Sequence, residues 1–147
     1  MSGAPSSIPS SGLEGEQILL IANIDHFRSV NEALGHGGGD EVLRVVARAL
    51  RDPVPPEGMI ARIGGGEFAI VTPVRCGLTA AIVLERLCRQ RMPHDLTVTA
   101  SIGACSGALL CAADWHAIYR CADRALFEAK AGGRDCARDV GAFAQAA

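Results

Sequence analysis

Aromatic side chains make up only 4% of this chain of 147 residues, with one Trp and one Tyr, so large rings cannot organise the core. Hydrophobic residues reach 49%, and the core must therefore be built from Ala, Val, Leu and Ile packed in aliphatic layers. An excess of charge is also missing, because 14 Lys and Arg are scattered among 16 Asp and Glu for a net charge of -2. That balance argues against a nucleic-acid binder. None of the six cysteines (Cys76, Cys88, Cys105, Cys111, Cys121, Cys136) forms a C-x-x-C pair or a zinc-type spacing with His. They read as reduced thiols of a cytoplasmic protein, with Cys88 and Cys121 acting as small hydrophobes in helical stretches. No apolar run is long enough for a membrane segment, and no internal repeat is visible. Residues 1–16 are rich in Ser, Pro and Gly, lack the apolar centre of a signal peptide and read as a disordered tail. One domain over 17–140 is expected, followed by a C-terminal tail at 141–147.

What is present centres on Ile60 to Val71, I-A-R-I-G-G-G-E-F-A-I-V. Two short apolar runs joined by three glycines predict an antiparallel hairpin whose tip uses positive φ angles. Glu67 stands against a tip without side chains, where a phosphate can approach the backbone. Ile18 to Ile24 predicts a central strand buried on both faces, ending in the polar pair Asn23 and Asp25. Asp25 has two readings, a functional strand-end carboxylate or the cap of the helix that follows.

His26 to Leu34 predicts a short helix with Phe27, Val30 and Leu34 on one face, broken by Gly35 to Gly39. Asp40 then stands where the N-cap of a second helix belongs, ahead of Val42, Leu43, Val46 and Leu50, and prolines 53, 55 and 56 stop that helix. Leu78 to Met92 predicts an amphipathic helix burying Leu78, Ile82, Leu84, Leu87 and Cys88, and Leu96 to Cys105 a strand. Ala113 to Ala131 predicts a last helix with Trp115, Ile118, Tyr119, Ala122, Leu126 and Phe127 buried. Gly132 and Gly133 end it, and Lys130 and Arg134 beside them are either dipole partners or phosphate ligands. The order predicts an α/β sandwich of the α+β kind, a mostly antiparallel sheet flanked by helices.

Four blocks in order carry a resemblance: N-I-D-H-F-R-S-V-N-E-A-L-G-H-G-G-G-D-E-V-L at Asn23 to Leu43, R-I-G-G-G-E-F at Arg62 to Phe68, T-A-S-I-G at Thr99 to Gly103, and A-D-R-A-L-F-E-A-K-A-G-G-R-D at Ala122 to Asp135. Together they resemble the GGDEF family, the diguanylate cyclase domains of bacterial cyclic di-GMP signalling, with GGGEF in place of GGDEF or GGEEF. The resemblance implies a cyclase-like fold with the glycine hairpin at the active site. It assigns Asn31 and Asp40 to the guanine base, Arg28, Lys130 and Arg134 to the triphosphate, and Gly64 and Gly65 to the close approach of the phosphates.

Departures from the family pattern fall on the metal. Active members hold Mg²⁺ with an Asp at the end of the first strand and an acidic residue third in the hairpin motif; those positions are Asn23 and Gly66 here. Asp25 and Glu67 are the carboxylates left nearby, Asp25 as a substitute ligand and Glu67 as the candidate catalytic group. The product-inhibition motif R-x-x-D falls on P-P-E-G at Pro55 to Gly58, and the family's opening helix has no counterpart, which predicts an uncovered apolar surface. The resemblance therefore implies a degenerate, inactive module that binds GTP or a protein partner. Its alternatives are an active cyclase that condenses two GTP as a homodimer with Mg²⁺, or a fragment of a longer signalling protein.

Overall fold

The run at Ile18 to Ile24 becomes a central strand because only a strand covered on both faces removes all its side chains from water. In the computed structural model, which describes residues 15–109 and 111–142, β1 (Glu16–Ile24) lies antiparallel between β3 (Glu67–Pro73) and β4 (Ala100–Ala108). At the edges, β2 (Met59–Arg62) pairs antiparallel with β3 and β5 (Cys136–Ala142) pairs parallel with β4, giving the order β2-β3-β1-β4-β5. Helices α1 (Phe27–Arg51) and α2 (Ala80–Cys88) bury Val42, Val46, Leu50 and Val83 against Ile18, Leu20 and Ile24. Helix α3 (Ala112–Ala131) covers the opposite face, where Ile118, Ala122 and Leu126 meet Leu19, Ile21 and Val71. This is the expected α+β sandwich.

Gly103 sets how closely α3 lies on the sheet. A Cβ at that position would run into the carbonyl oxygen of Ala122 and the amide nitrogen of Leu126. The helix thus rests its backbone directly on β4.

Several boundaries differ from expectation. Two helical segments meet in α1 as expected, but only Gly35 (φ 75°, ψ 172°) is non-helical between them, so the second segment begins ahead of Asp40, which sits inside it and is not an N-cap. Gly37 to Gly39 are helical, a choice that costs roughly 1 kcal/mol per glycine relative to Ala; close approach of Leu34 and Asn31 requires it at Gly38 and Gly39, and nothing approaches Gly37. Asp25 does not cap α1 either, because the N-cap residue is His26, with left-handed φ 57° and no side-chain cap bond. The hairpin tip uses no positive φ at Gly64, Gly65 or Gly66. A longer connection between β2 and β3 removes the need for a primed turn.

In α2 the buried side is Ala80, Val83 and Leu87, leaving Ile82 and Cys88 exposed. Phe127, expected in the core, is 70% exposed on the outer side of α3. β5 was not foreseen, since C-A-R-D-V-G-A shows no clear alternation and edge strands need little. It also takes Gly141 and Ala142 from the expected tail, as β1 takes Glu16 from the N-terminal one; the rest of both tails and the missing opening helix fall outside the described residues.

Burial, followed by the neighbouring Cys121 thiol, pushes the Cys105 thiol from about 9.0 up to about 12. Maleimide at pH 8 should therefore label exposed Cys76, Cys88 and Cys111 of the folded protein and spare Cys105. Peptide mapping by mass spectrometry checks this, and rapid labelling of Cys105 without unfolding would contradict the packing of α3.

Candidate functional site

The C-terminal end of β1 is where the hairpin tip, the start of α1 and the end of α3 converge. The Ile24 N–H donates to the Gly66 carbonyl at 2.8 Å, which draws the tip over the strand end. Phe27 lies beneath it: a Cβ on Gly66 would stand 2.9 Å from both Cβ and Cγ of Phe27. Arg62 Nε donates to the carbonyls of Gly64 (2.9 Å) and Gly65 (3.1 Å), holding those oxygens away from the space in front. Among the described residues, the Gly65 and Gly66 N–H groups have no protein acceptor.

In front of this tip lies a cavity of about 950 Å³. Its wall contains Asn23, Arg28, Asn31, Asp40, Gly65, Gly66, Lys130 and Arg134, so most of the residues singled out from the sequence are brought together. Asn31 and Asp40 come from opposite sides of the Gly35 kink. A Cβ on Gly39 would run into Asn31 Oδ1, so the bare glycine lets the amide fold back against the backbone just ahead of Asp40, and Gly38 makes room for Leu34 in the same way. An amide and a carboxylate side by side can read one hydrogen-bonding edge of a flat ring. Neither has a side-chain partner among the described residues.

The cations Arg28, Lys130 and Arg134 likewise have no carboxylate within reach among the described residues. Arg62 joins them on the wall, so four cations face Glu32 and Asp40. This is an anion site by charge. Sequence reasoning missed Arg62, His26, Glu32 and His36 as wall residues and took Phe27 only as core. Arg62 was discoverable, since it precedes the glycines by two residues at the end of an edge strand.

Asp25, Glu67 and Gly64 do not line the cavity. Asp25 is 5% exposed and its carboxylate is occupied by Ser101, Thr99 and the Asp135 N–H, which removes it as a substitute metal ligand. Glu67 Oε2 accepts from Asn23 Nδ2 at 3.3 Å, its cross-strand neighbour, and looks toward α3 rather than the cavity. There its charge, after burial, helps to raise the Tyr119 phenol pKa. The donor set does not fit Mg²⁺: Asn23 turns its N–H toward Glu67, Gly66 offers no side chain, and among the described residues no three His, Cys, Asp or Glu side chains cluster as a metal site.

The family described as "Diguanylate cyclase, GGDEF domain" matches residues 11–136. The chain belongs to the GGDEF domain family. As a GGDEF domain it is a component of cyclic di-GMP signalling. It is 35% identical over 130 residues to diguanylate cyclase DgcP of Pseudomonas aeruginosa, covering 82% of this chain and 19% of the relative. With probable diguanylate cyclase DgcF of Escherichia coli it shares 32% identity over 146 residues, 91% of this chain and 46% of that protein. The chain thus spans less than half the length of these relatives.

Among solved structures, the active GGEEF domain of a diguanylate cyclase from Vibrio cholerae superposes with a TM-score of 0.73 at 27% identity, covering 93% of this chain and 88% of that one. Diguanylate cyclase SiaD of Pseudomonas aeruginosa, solved in complex with its activator SiaC, gives 0.69 at 30% identity over 85% and 50%. The fold expectation is met. No helix of the described residues is long and apolar enough to cross a membrane.

Proposed function

We propose that this GGDEF domain is a degenerate regulatory module that binds a guanine nucleotide and does not synthesise cyclic di-GMP. The observation that carries this reading is a wall that keeps unpaired base-reading groups and unneutralised cations where the two metal-ligand positions are Asn23 and Gly66. Asn31 and Asp40 would hold the base, and Arg28, Arg62, Lys130 and Arg134 the phosphates. With no carboxylate ligand to neutralise, these cations would stand in for the charge of the ion, so binding needs no divalent metal. The SiaD–SiaC complex supports a protein partner as the way such a module reports.

Calorimetry with GTP and ATP, in Mg²⁺ and in EDTA, tests this beside a chromatographic assay for cyclic di-GMP. GTP should bind at least tenfold more tightly than ATP, because the wrong base leaves Asn31 and Asp40 unpaired. EDTA should change GTP affinity less than threefold. Asp40→Ala should lower it roughly 10 to 100-fold, the worth of a hydrogen bond to a charged group. Equal affinity for the two nucleotides, or no effect of Asp40→Ala, would refute the pocket reading. The second reading is an active homodimeric cyclase in a cytoplasmic signalling protein, favoured by relatives named diguanylate cyclases. A metal-dependent product peak would establish it.

A further inference from the structure

We propose that Asp25 is a positioning residue whose buried carboxylate holds the turn that carries Arg134 into the cavity. Asp25 follows the last residue of β1 and is 5% exposed. Its Oδ1 accepts from Ser101 Oγ at 2.6 Å, and its Oδ2 from Thr99 Oγ1 at 2.7 Å and from the Asp135 N–H at 3.0 Å. Its own N–H donates to the Thr99 carbonyl at 2.9 Å. One carboxylate therefore ties together the end of β1, the entry to β4 and the turn after α3.

That turn is strained. Gly133, Arg134 and Asp135 have φ of 118°, 64° and 47°, and two of the three carry side chains in the left-handed region. Such residues keep that conformation only where the surroundings over-determine it. Here the Arg134 N–H is held by the Ala129 carbonyl at 3.1 Å, and the next N–H, that of Asp135, by the Asp25 carboxylate. The peptide between them is fixed at both ends, and Arg134 stands on the cavity wall. A charged acceptor suits the task, since buried charge-assisted bonds are short and directional. Asp25 thus acts on the cavity through Arg134, touching no ligand itself.

The inference rests on the reading that the cavity takes a phosphate-bearing ligand, so the probe is tripolyphosphate, which has no base, with GTP alongside. Asp25→Asn keeps the shape: its amide oxygen can stand in for Oδ2 and its NH₂ can donate to Ser101 Oγ, so what the Asp135 N–H loses is a charged acceptor, replaced by a weaker neutral one. On the full chain, calorimetry should show Arg134→Ala and Asp25→Asn each weakening tripolyphosphate binding about tenfold or more, with the double variant no weaker than Arg134→Ala alone. A merely structural Asp25 would lower the melting temperature and leave affinity at the parent value, or add its loss in full to that of Arg134→Ala. Either result overturns the proposal. Should Asp25→Asn not fold, Thr99→Val loosens the same carboxylate, and a threefold loss that vanishes in the Arg134→Ala background is the expected result; no loss overturns it. If the parent binds no tripolyphosphate, the phosphate reading falls by itself. The positioning claim is then decided by amide hydrogen exchange: faster exchange confined to Arg134 and Asp135 in Asp25→Asn supports it, and unchanged protection there overturns it.

Discussion

Gly103→Ala is expected to lower the free energy of unfolding by about 3 kcal/mol or more, a large share of the roughly 5–15 kcal/mol that holds a domain together. The new methyl would meet backbone atoms of Ala122 and Leu126, and backbone cannot rotate aside as a side chain can. All 20 residues of α3 would have to lift from β4, loosening the contacts of Ile118, Ala122 and Leu126 with Leu19, Ile21 and Cys105. Gly37→Ala supplies the contrast. Gly37 is helical, its Cβ would meet nothing within 4 Å, and the change should be neutral or stabilising by up to about 1 kcal/mol. Urea unfolding of both variants checks the pair, and a loss below about 1 kcal/mol for Gly103→Ala would contradict the close seating of α3.

Asn23→Asp combined with Gly66→Glu is expected to create Mg²⁺-dependent GTP binding, about 10 to 100-fold tighter in Mg²⁺ than in EDTA, where the parent is expected to differ less than threefold. Alone, Asn23→Asp replaces the 3.3 Å bond to Glu67 by two facing carboxylates. Like charges raise the carboxylate pKa in the folded state above its unfolded value, so the variant's deficit against the parent should be small at low pH and grow as pH rises toward 7. Added Mg²⁺ should reduce that deficit. Gly66→Glu has a different cost: positive φ is not the obstacle, but the new Cβ would stand 2.9 Å from Phe27 Cβ and Cγ, so the ring must shift, at about 1–3 kcal/mol. The two carboxylates would share one ion, and their effects on GTP affinity should be coupled in a double-mutant cycle. A folded double variant that binds GTP no better with Mg²⁺ would show that more than the metal ligands has been lost.

Much of the site could be read from residue type because its chemistry is local. Asn31, Asp40, Lys130 and Arg134 stand in blocks that resemble the family's motifs, that resemblance put them at one site, and the cavity wall gathers all four. Asp25 as a substitute ligand, and the partner of Glu67, show why the rest was not legible: a carboxylate near a site looks like a ligand until its partners are known. The partners of Asp25 lie 74, 76 and 110 residues away, and that of Glu67 lies 44 residues back across a strand pair. Phe127 was misplaced because helical periodicity gives a face about 100° wide and does not say where its edge falls.

The sequence by itself determined the sandwich of aliphatic layers, the central strand, the glycine hairpin and the family, because period, turn residues and motif spacing are properties of neighbouring residues. It also determined that carboxylates are absent at positions 23 and 66. Only the tertiary structure decided that the break between the two helical segments is confined to Gly35, that Gly103 seats α3, and that Asp25 is a buried tie rather than a ligand. Each of these depends on atoms distant in the chain coming within van der Waals or hydrogen-bond distance, and such encounters are fixed by packing rather than by local preference.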